Sequence, residues 1–493
     1  MNHTFNKTLI ASLLTLSAGG VSASLFQLAE VSTSGLGMAY AGNAAVADNA
    51  SVVANNPALM TKLRQAQISA GGVLVDTDII ISGTSASGSN AYASNVVPTS
   101  VIPNVYFVTP INDKFSLGLG YNVNFGLSSE YPDDYNAGSI GGKTELQAHN
   151  FNVSGAYDLG HGFSFGAGVN AIYSKAEVRR TLGDQSKSIE TARKGAALLS
   201  SLPASMTLST LAASIPNNPR LQALAAANPE AAATLQSLAK SSPNTTVSQA
   251  AAALAATANS LSAMNKSTEV ASIKGDEWSF GWNAGLTYDL NENHRWGLAY
   301  HSAVDVKFKG KYRNGLTQDM RTSKGTTYAT NNQEWDGRLT LNLPAYWELS
   351  GWHKLSERVA MQYSWKRTEW SRLKALDAYH DLDGKHLFHK TENFRDSNRY
   401  SLGFSFIATP DLTLRTGIAY DRNASVNHPS ISIPDTNRVW YSVGATYQIT
   451  PNTSIDAAYA HLRGTSFSFK EDGAAFKTKA RGNLYGLNLN YKF

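Results

Sequence analysis

Cysteine is absent from the 493-residue chain, and only 16% of its residues are charged. The lack of cysteine is consistent with an envelope protein that avoids stray disulfides in an oxidising compartment. After the N-terminal segment no run of about 18 apolar residues occurs, so membrane-spanning helices are not expected. The net charge of +5 comes from basic residues that are scattered and form no stripe, which argues against nucleic acid as a partner. Part of the basic excess instead suits an anionic lipopolysaccharide surface or an anionic ligand.

Aromatic residues and glycine, in contrast, are plentiful: the chain has 22 Tyr, 18 Phe, 9 Trp and 39 Gly. Hydrophobic residues make up only 42% of the chain, and its mean hydropathy is −0.24. A transmembrane β-barrel has this composition because its wall needs apolar residues only on the lipid-facing half. The composition therefore favours one large barrel over several soluble domains.

Alternating apolar and polar residues, the pattern of β-strands, recur along the chain from about residue 65. From Phe115 to Ser128 the apolar residues share one face, and glycine, serine and asparagine share the other. The final segment, Asn483–Phe493, alternates in the same way and ends on an aromatic residue, which resembles the closing strand of an outer-membrane barrel. With these two segments the candidates number about fourteen, an even count as in single-chain barrels. The others are 65–82, 97–109, 144–159, 163–182, 278–290, 295–311, 335–353, 357–373, 393–408, 411–425, 435–449 and 453–469.

The connections between these strands alternate between short and long. Tight turns that fit the periplasmic side are Asn112-Asp113, Gly160-His161-Gly162, 291–294, Pro410-Asp411 and Pro451-Asn452. Connections that fit long extracellular loops are 129–143, 183–270, 312–334, 374–392 and 424–434. We therefore expect an all-β fold, a fourteen-stranded antiparallel transmembrane barrel over residues 65–493.

The first 23 residues have the pattern of a secretory signal peptide. Lys7 precedes the apolar stretch 9–16, and Val21-Ser22-Ala23 supplies small residues for cleavage. We expect the mature chain to start near Ser24 and to reach the outer membrane of a Gram-negative bacterium as a monomer. The expected partners are outer-membrane lipid, lipopolysaccharide and, through Phe493, the machinery that assembles outer-membrane barrels.

Residues 24–64 precede the first strand and do not alternate. They form either a periplasmic tail or a plug, called a hatch, within the lumen. Their apolar content argues against a solvated tail; the apolar residues are Leu25, Phe26, Leu28, Leu36, Met38, Leu59 and Met60.

Residues 195–263, within the long loop 183–270, are rich in Ala, Leu and Ser. Runs of alanine favour helix, and five prolines divide the segment into short pieces. The segment is either a low-complexity external loop of little function or a helical cap that offers apolar surface to a hydrophobic ligand. The sequence alone leaves both interpretations open.

Several short motifs resemble the FadL family of outer-membrane channels for long-chain fatty acids and other hydrophobic compounds. The N-terminal matches, which resemble that family's hatch, are Phe26-Gln27-Leu28, Ser34-Gly35-Leu36-Gly37, Ala39-Tyr40-Ala41-Gly42 and Asn56-Pro57-Ala58. Further matches are Asn124-Phe125-Gly126-Leu127, Gly281-Trp282-Asn283-Ala284-Gly285, Leu341-Asn342-Leu343-Pro344 and Ser430-Ile431-Ser432-Ile433-Pro434-Asp435. The Ala-rich insert is the main departure from the family pattern.

This resemblance implies a fourteen-stranded barrel closed by a hatch that includes Asn56, Pro57 and Ala58. It implies capture of ligand in an external apolar groove, transfer to an internal pocket, and lateral exit through an inward kink in the third strand. The matching kink is Asn124-Phe125-Gly126, and glycine there tolerates a bent backbone. Basic residues expected to bind a carboxylate are, by the same resemblance, Arg180, Lys390 and Arg395.

Two other motifs carry no expected chemistry. Gly162-Phe163-Ser164-Phe165-Gly166 matches a hydrolase pattern that needs a strand–turn–helix elbow, but it opens a regular alternating strand. His380, Asp381, Asp383, His386 and His389 share a predicted loop without the spacing of a defined metal site. We therefore expect no enzymatic activity, no cofactor and no metal.

The leading hypothesis is passive uptake of long-chain fatty acids across the outer membrane. The nearest alternative is uptake of uncharged hydrophobic compounds, such as aromatic hydrocarbons, by the same fold. Basic residues in the pocket would distinguish the two hypotheses, because a fatty acid carboxylate needs a cationic partner and a neutral ligand does not. A general porin is disfavoured by the hatch, and a lipase by the lack of a credible Ser/His pair.

Overall fold

The structure, a computed structural model, describes residues 26–322 and 325–493. The predicted signal peptide, residues 1–23, lies outside the described residues and stays a prediction. Within the described ranges, no helix is both long and apolar enough to cross a membrane.

Fourteen antiparallel strands, β1–β14, form one closed sheet. β1 pairs with β2 on one side and, along its whole length, with β14 on the other, which closes the barrel. The predicted fourteen-stranded barrel is confirmed. The strands are β1 Gln67–Thr84, β2 Ser100–Pro110, β3 Phe115–Glu130, β4 Gly142–Gly160, β5 Phe163–Thr181, β6 Glu269–Asn291, β7 His294–His301 and Val304–Arg313, β8 Trp335–Leu343 and Tyr346–Lys354, β9 Val359–Thr368 and Ala375–His380, β10 His386–Thr391 and Ser397–Thr409, β11 Leu412–Asp421, β12 Arg438–Thr450, β13 Thr453–Gly464 and Phe467–Glu471, and β14 Ala474–Lys492. A short hairpin, Met320–Thr322 with Gly325–Thr327, lies between β7 and β8.

The prediction of a long loop at 374–392 is wrong. Ala375–His380 and His386–Thr391 pair with each other and extend β9 and β10, leaving a turn of only 381–385. The sixth strand likewise begins at Glu269, well before the predicted residue 278. These extensions carry exposed polar residues such as Lys274 and His386. A strand that has left the bilayer has water on its outer face, so the apolar half of the alternation is lost.

Along the closing strand the two faces have different surroundings. Leu487, Leu489 and Phe493 are 63%, 51% and 64% exposed, as expected of side chains that face lipid. Asn488 and Asn490, on the other face, are buried in the barrel interior. The interior is therefore filled and is not an open aqueous lumen at this level.

The filling is the N-terminal segment, residues 26–63, for which we keep the name hatch. It contains two short helices, α1 Thr33–Leu36 and α2 Val52–Asn55, and a 3-10 helix, Pro57–Lys62. Leu36 and Leu59 are completely buried. Its polar groups bond to the inner wall: Thr33 Oγ1 donates to Asn488 Oδ1 at 2.6 Å, and Gly42 N donates to Ser364 Oγ at 2.8 Å.

Glycines on the inner wall make room for the hatch. A Cβ at Gly285 would lie 1.8 Å from Asn56 Oδ1, and one at Gly417 would lie 2.2 Å from the Met38 carbonyl carbon. Because nothing larger than hydrogen fits at these positions, the backbones of wall and hatch approach closely. The hatch therefore packs directly against the glycines on the inward, polar face of the strands.

Between β5 and β6 the chain forms five helices with an apolar core of their own. Pro219 and Pro229 occupy the first turns of two of them, as the proline spacing predicts. The buried residues of this core include Leu199, Leu208 and Leu211. The helices are α3 Ser186–Ser200, α4 Leu208–Ser214, α5 Pro219–Ala227, α6 Pro229–Ser241 and α7 Val247–Ala263, and we call them the helical cap.

We predict that Gly285→Ala displaces the hatch, because the added methyl group overlaps the Asn56 amide. The purified variant should conduct ions more strongly than the wild type in planar bilayers. Gly155→Ala is the matched control, since its Cβ would meet only Phe115 and Leu117 at 3.4 Å or more. Wild-type conductance of a folded Gly285→Ala barrel would contradict the seating of the hatch on this glycine.

Candidate functional site

An apolar pocket lies inside the barrel at the end that carries the long connections. It contains about 790 Å³ of empty space, part of which is open to its surroundings. Its wall comes from strands on several sides and from the first residue of the hatch. The apolar side chains that line it include Phe26, Leu127, Leu146, Phe308, Leu341, Leu373, Leu376, Leu387 and Ile433.

Two aromatic rings pack against Phe26, the hatch residue that lines this pocket. The ring of Phe26 lies 4.6 Å from that of Trp370 and 6.3 Å from that of Phe125, both in edge-on arrangements. Trp370 is completely buried in the short 3-10 helix Trp370–Arg372, between the two segments of β9. The pocket, the hatch and the third strand therefore meet at Phe26.

The third strand is irregular at this point. β2 and β3 pair only as far as Val105 and Tyr121, although β3 continues to Glu130. A bulge between Val123 and Phe125 also interrupts the pairing of β3 with β4, with Asn124 as the extra residue. The bulge reverses the face of the following residues, so Phe125 and Leu127 point into the barrel and are buried.

The hatch occupies the edge that β2 leaves unpaired. Gln27 forms an antiparallel bridge with Phe125. Leu28 N donates to Asn124 O at 2.9 Å, and Gly126 N donates to Phe26 O at 3.0 Å. The three residues Asn124, Phe125 and Gly126 are thus the place where hatch backbone replaces barrel backbone.

Asn56, Pro57 and Ala58 lie deeper in the barrel. Asn56 caps the 3-10 helix, because its Oδ1 accepts a 3.0 Å hydrogen bond from Ala58 N. Its Nδ2 donates to Ala44 O at 2.8 Å and to Leu286 O, on the wall, at 3.3 Å. One side chain therefore fixes the turn within the hatch and ties the hatch to β6.

Two of the predicted carboxylate-binding residues are outside the pocket lining but next to residues that belong to it. The Arg180 guanidinium donates to the backbone oxygens of Lys143 and Arg179 and to Thr144 Oγ1, and Thr144 lines the pocket. Lys390 pairs across the hairpin with Leu376, a pocket residue. Its Nζ donates to Ser430 Oγ at 3.0 Å and to Ser432 Oγ at 2.6 Å.

Lys390 already has an anionic partner. Its Nζ lies 3.1 Å from Glu392 Oε1, and the Glu392 side chain is completely buried. Burial raises the pKa of the Glu392 carboxyl above its ordinary value, while the positive charge of Lys390 acts in the opposite direction. Glu471 lies beside this pair and accepts a hydrogen bond from Ile431 N at 3.0 Å. The cations therefore belong to a buried cluster of both signs.

Arg395 is separate from this cluster. It lies in the connection between the two segments of β10, where its Nε donates to the backbone oxygen of Asn423 at 3.4 Å. Its partner Asn423 does not line the pocket, in contrast to Thr144, the partner of Arg180. The structure thus brings Arg180 and Lys390 to one site and leaves Arg395 outside it.

The sequence did not single out Trp370, Glu392 or Glu471. Glutamate in an apparent loop is ordinarily solvated, and nothing local distinguishes a buried one. The only available signal was the nearby motif Ser430-Ile431-Ser432, which supplies the two hydroxyl groups on Lys390.

The helical cap holds a second apolar pocket, with about 480 Å³ of empty space that is partly open to solvent, lined mainly by leucine and alanine. Its lining includes Leu202, Leu208, Leu221 and Leu235. The cap therefore presents apolar space of its own outside the barrel wall.

Comparison with known proteins places this architecture in a family. The family model for outer membrane protein transport proteins (OMPP1/FadL/TodX) matches residues 14–493. The 47 kDa outer membrane protein of Pasteurella multocida is 47% identical, and the long-chain fatty acid transport protein of Escherichia coli is 37% identical, each over 99% of both chains.

Solved structures share the fold. A FadL homologue of Pseudomonas aeruginosa has a TM-score of 0.71 at 20% identity, covering 95% of this chain and 99% of that one. The toluene transporter TodX of P. putida has a TM-score of 0.62 at 17% identity, covering 96% and 99%. The closed barrel agrees with the location in the outer membrane that the names of the relatives state. The chain belongs to the OMPP1/FadL/TodX family of outer membrane transport proteins, in agreement with the resemblance of its motifs to the FadL family.

Proposed function

We propose that this protein carries long-chain fatty acids across the outer membrane. The observation that carries the proposal is the apolar pocket together with Arg180 and Lys390, which lie next to the lining residues Thr144 and Leu376. An acyl chain gains roughly 0.8 kcal/mol for each CH₂ group that leaves water, so an apolar pocket favours its uptake. A desolvated carboxylate needs a cationic partner, which a lysine or arginine beside that pocket supplies. The name of the E. coli relative supports this cargo.

The path begins at the helical cap and ends in the membrane. Apolar space in the cap takes the ligand from outside, and the internal pocket receives it. The Phe26 ring separates that pocket from Phe125 at the bulge, so a shift of the first hatch residues would connect the pocket with the kink. Exit between β2 and β3, whose pairing stops at Tyr121, would let the acyl chain enter lipid without crossing water.

Uptake of uncharged hydrophobic compounds is the second candidate. It is favoured by the Lys390–Glu392 ion pair, which neutralises this cation beside the pocket before any ligand arrives. A fatty acid carboxylate must compete with Glu392 for Lys390, whereas a neutral hydrocarbon leaves the pair undisturbed. The raised pKa of Glu392 eases this competition, because protonation of Glu392 releases Lys390.

The double substitution Lys390→Gln/Glu392→Gln distinguishes the two cargoes. It removes both charges together, so that no buried charge is left without a partner. If Lys390 binds the carboxylate, the affinity for oleate should fall about tenfold or more, since one charged hydrogen bond contributes about 1.5–3 kcal/mol. The affinity for oleyl alcohol should stay within about twofold. Tryptophan fluorescence titration of the detergent-purified protein measures both.

Arg395→Gln is the matched control, because it removes a positive charge close by in sequence but outside the cluster of Lys390, Glu392 and Glu471. It should bind oleate like the wild type. Equal losses for oleate and oleyl alcohol in the double variant would contradict a role of Lys390 in carboxylate binding and favour a neutral cargo.

We also predict that Gly126→Val lowers oleate uptake by cells several-fold and leaves oleate affinity of the purified protein unchanged. A branched side chain at the bulge obstructs the gap between β2 and β3 without entering the pocket lining. Gly155→Val on the lipid-facing side of β4 is the control. Normal uptake by a well-expressed Gly126→Val barrel would contradict lateral exit at this kink.

A further inference from the structure

Three metal-ligating side chains converge on the hairpin formed by the upper segments of β9 and β10. His386 Nε2 lies 2.8 Å and His389 Nδ1 lies 2.7 Å from the same oxygen, Asp377 Oδ1. The three potential ligand atoms all lie within 4.8 Å of one another. Two imidazole nitrogens and one carboxylate oxygen are therefore close enough together to bind one metal ion.

A β-bulge produces this convergence. Residues three apart in a regular strand face opposite sides, so His386 and His389 should be on opposite faces of the hairpin. The register instead shifts between Ala378 and Tyr379, so that Tyr379 pairs with His386 while Ala378 pairs with Phe388. The extra residue, Leu387, restores His386 to the side of Asp377. Bulges of this kind re-aim side chains and are common beside functional sites.

Contacts around the cluster orient both rings. His389 Nε2 lies 3.0 Å from Thr391 Oγ1, which leaves Nδ1 to face Asp377. Tyr379 stacks on the His386 ring with centroids 5.0 Å apart. Contacts of this type, made by the parts of a histidine ring that do not bind the metal, fix the rotamer and tautomer of metal-binding histidines. All three side chains remain partly exposed, so an ion from the medium can reach them.

We propose that Asp377, His386 and His389 form a binding site for a late first-row divalent cation of the Zn²⁺, Cu²⁺ or Ni²⁺ class. Imidazole ligands select these ions over Ca²⁺ and Mg²⁺, which prefer sites built of oxygen atoms alone. The protein supplies three ligands, and water completes the coordination. The site lies on the outer face of the hairpin, whose inner face contributes Leu376, Ala378 and Leu387 to the apolar pocket. Metal binding there is independent of the cargo proposed for that pocket.

Titration calorimetry with ZnCl₂ tests the site on full-length protein purified in detergent without a polyhistidine tag. We expect one saturable zinc ion per chain, with affinity reduced about tenfold or more in Asp377→Ala, His386→Ala and His389→Ala. His380→Ala is the matched control, because its ring contacts Asp383, outside the cluster. It should bind zinc like the wild type.

Copper provides a second measurement that does not depend on affinity. The EPR spectrum of the Cu²⁺-loaded wild type should show coupling to two nitrogen nuclei, and each single histidine variant should show one. Heat-modifiable mobility in gels verifies that each variant is a folded barrel. Absence of a saturable zinc site in the wild type, or wild-type binding by the His386→Ala/His389→Ala double variant, would overturn the proposal.

Discussion

The structure depends on one constraint: every backbone N–H and C=O group at the level of the bilayer must have a hydrogen-bond partner. Pairing of β1 with β14 meets it for the barrel as a whole. The one place where β3 continues without β2 cannot remain unpaired, and the first hatch residues, Phe26 to Leu28, supply the missing partners. The break in the wall and the position of the hatch are therefore a single structural feature.

The rest of the hatch is held by buried polar contacts and close backbone approach. Arg399 bonds to both oxygens of Asp421 at 3.0 Å and also to Ala39 O in the hatch. Trp440 Nε1 donates to the same carboxylate at 2.7 Å. A buried pair of this kind contributes little net stability but fixes geometry, because each misplaced charge is costly. The Arg399–Asp421 pair and the close backbone approach at the wall glycines together hold the hatch in one position in the lumen.

Much of the fold was predictable from sequence, and much of the site was not. Alternation located β3 and β5 closely because lipid on one side and packed interior on the other impose a period of two, but it found only the second half of β14. It failed at 374–392, where the hairpin has left the lipid and its outer face is polar. Alternation also placed Phe125 on the same face as Phe115, because a period of two contains no information about a bulge. Arg180 and Lys390 were found through motif resemblance, whereas Glu392, which neutralises Lys390, had no sequence signal.

By itself the sequence determined the class of solvent and the number of strands, since composition and alternation report directly on lipid contact. The hatch was expected from the apolar content of residues 24–64 and from the motif resemblance. The tertiary structure decided which residues meet. Leu127, Leu373 and Ile433 are far apart in the chain, and only barrel closure brings them around one pocket. His386 and His389 share a face only because one extra residue shifts the register of β10. Contacts of this kind depend on strand register, which is set by pairing across the whole sheet rather than by the local sequence pattern.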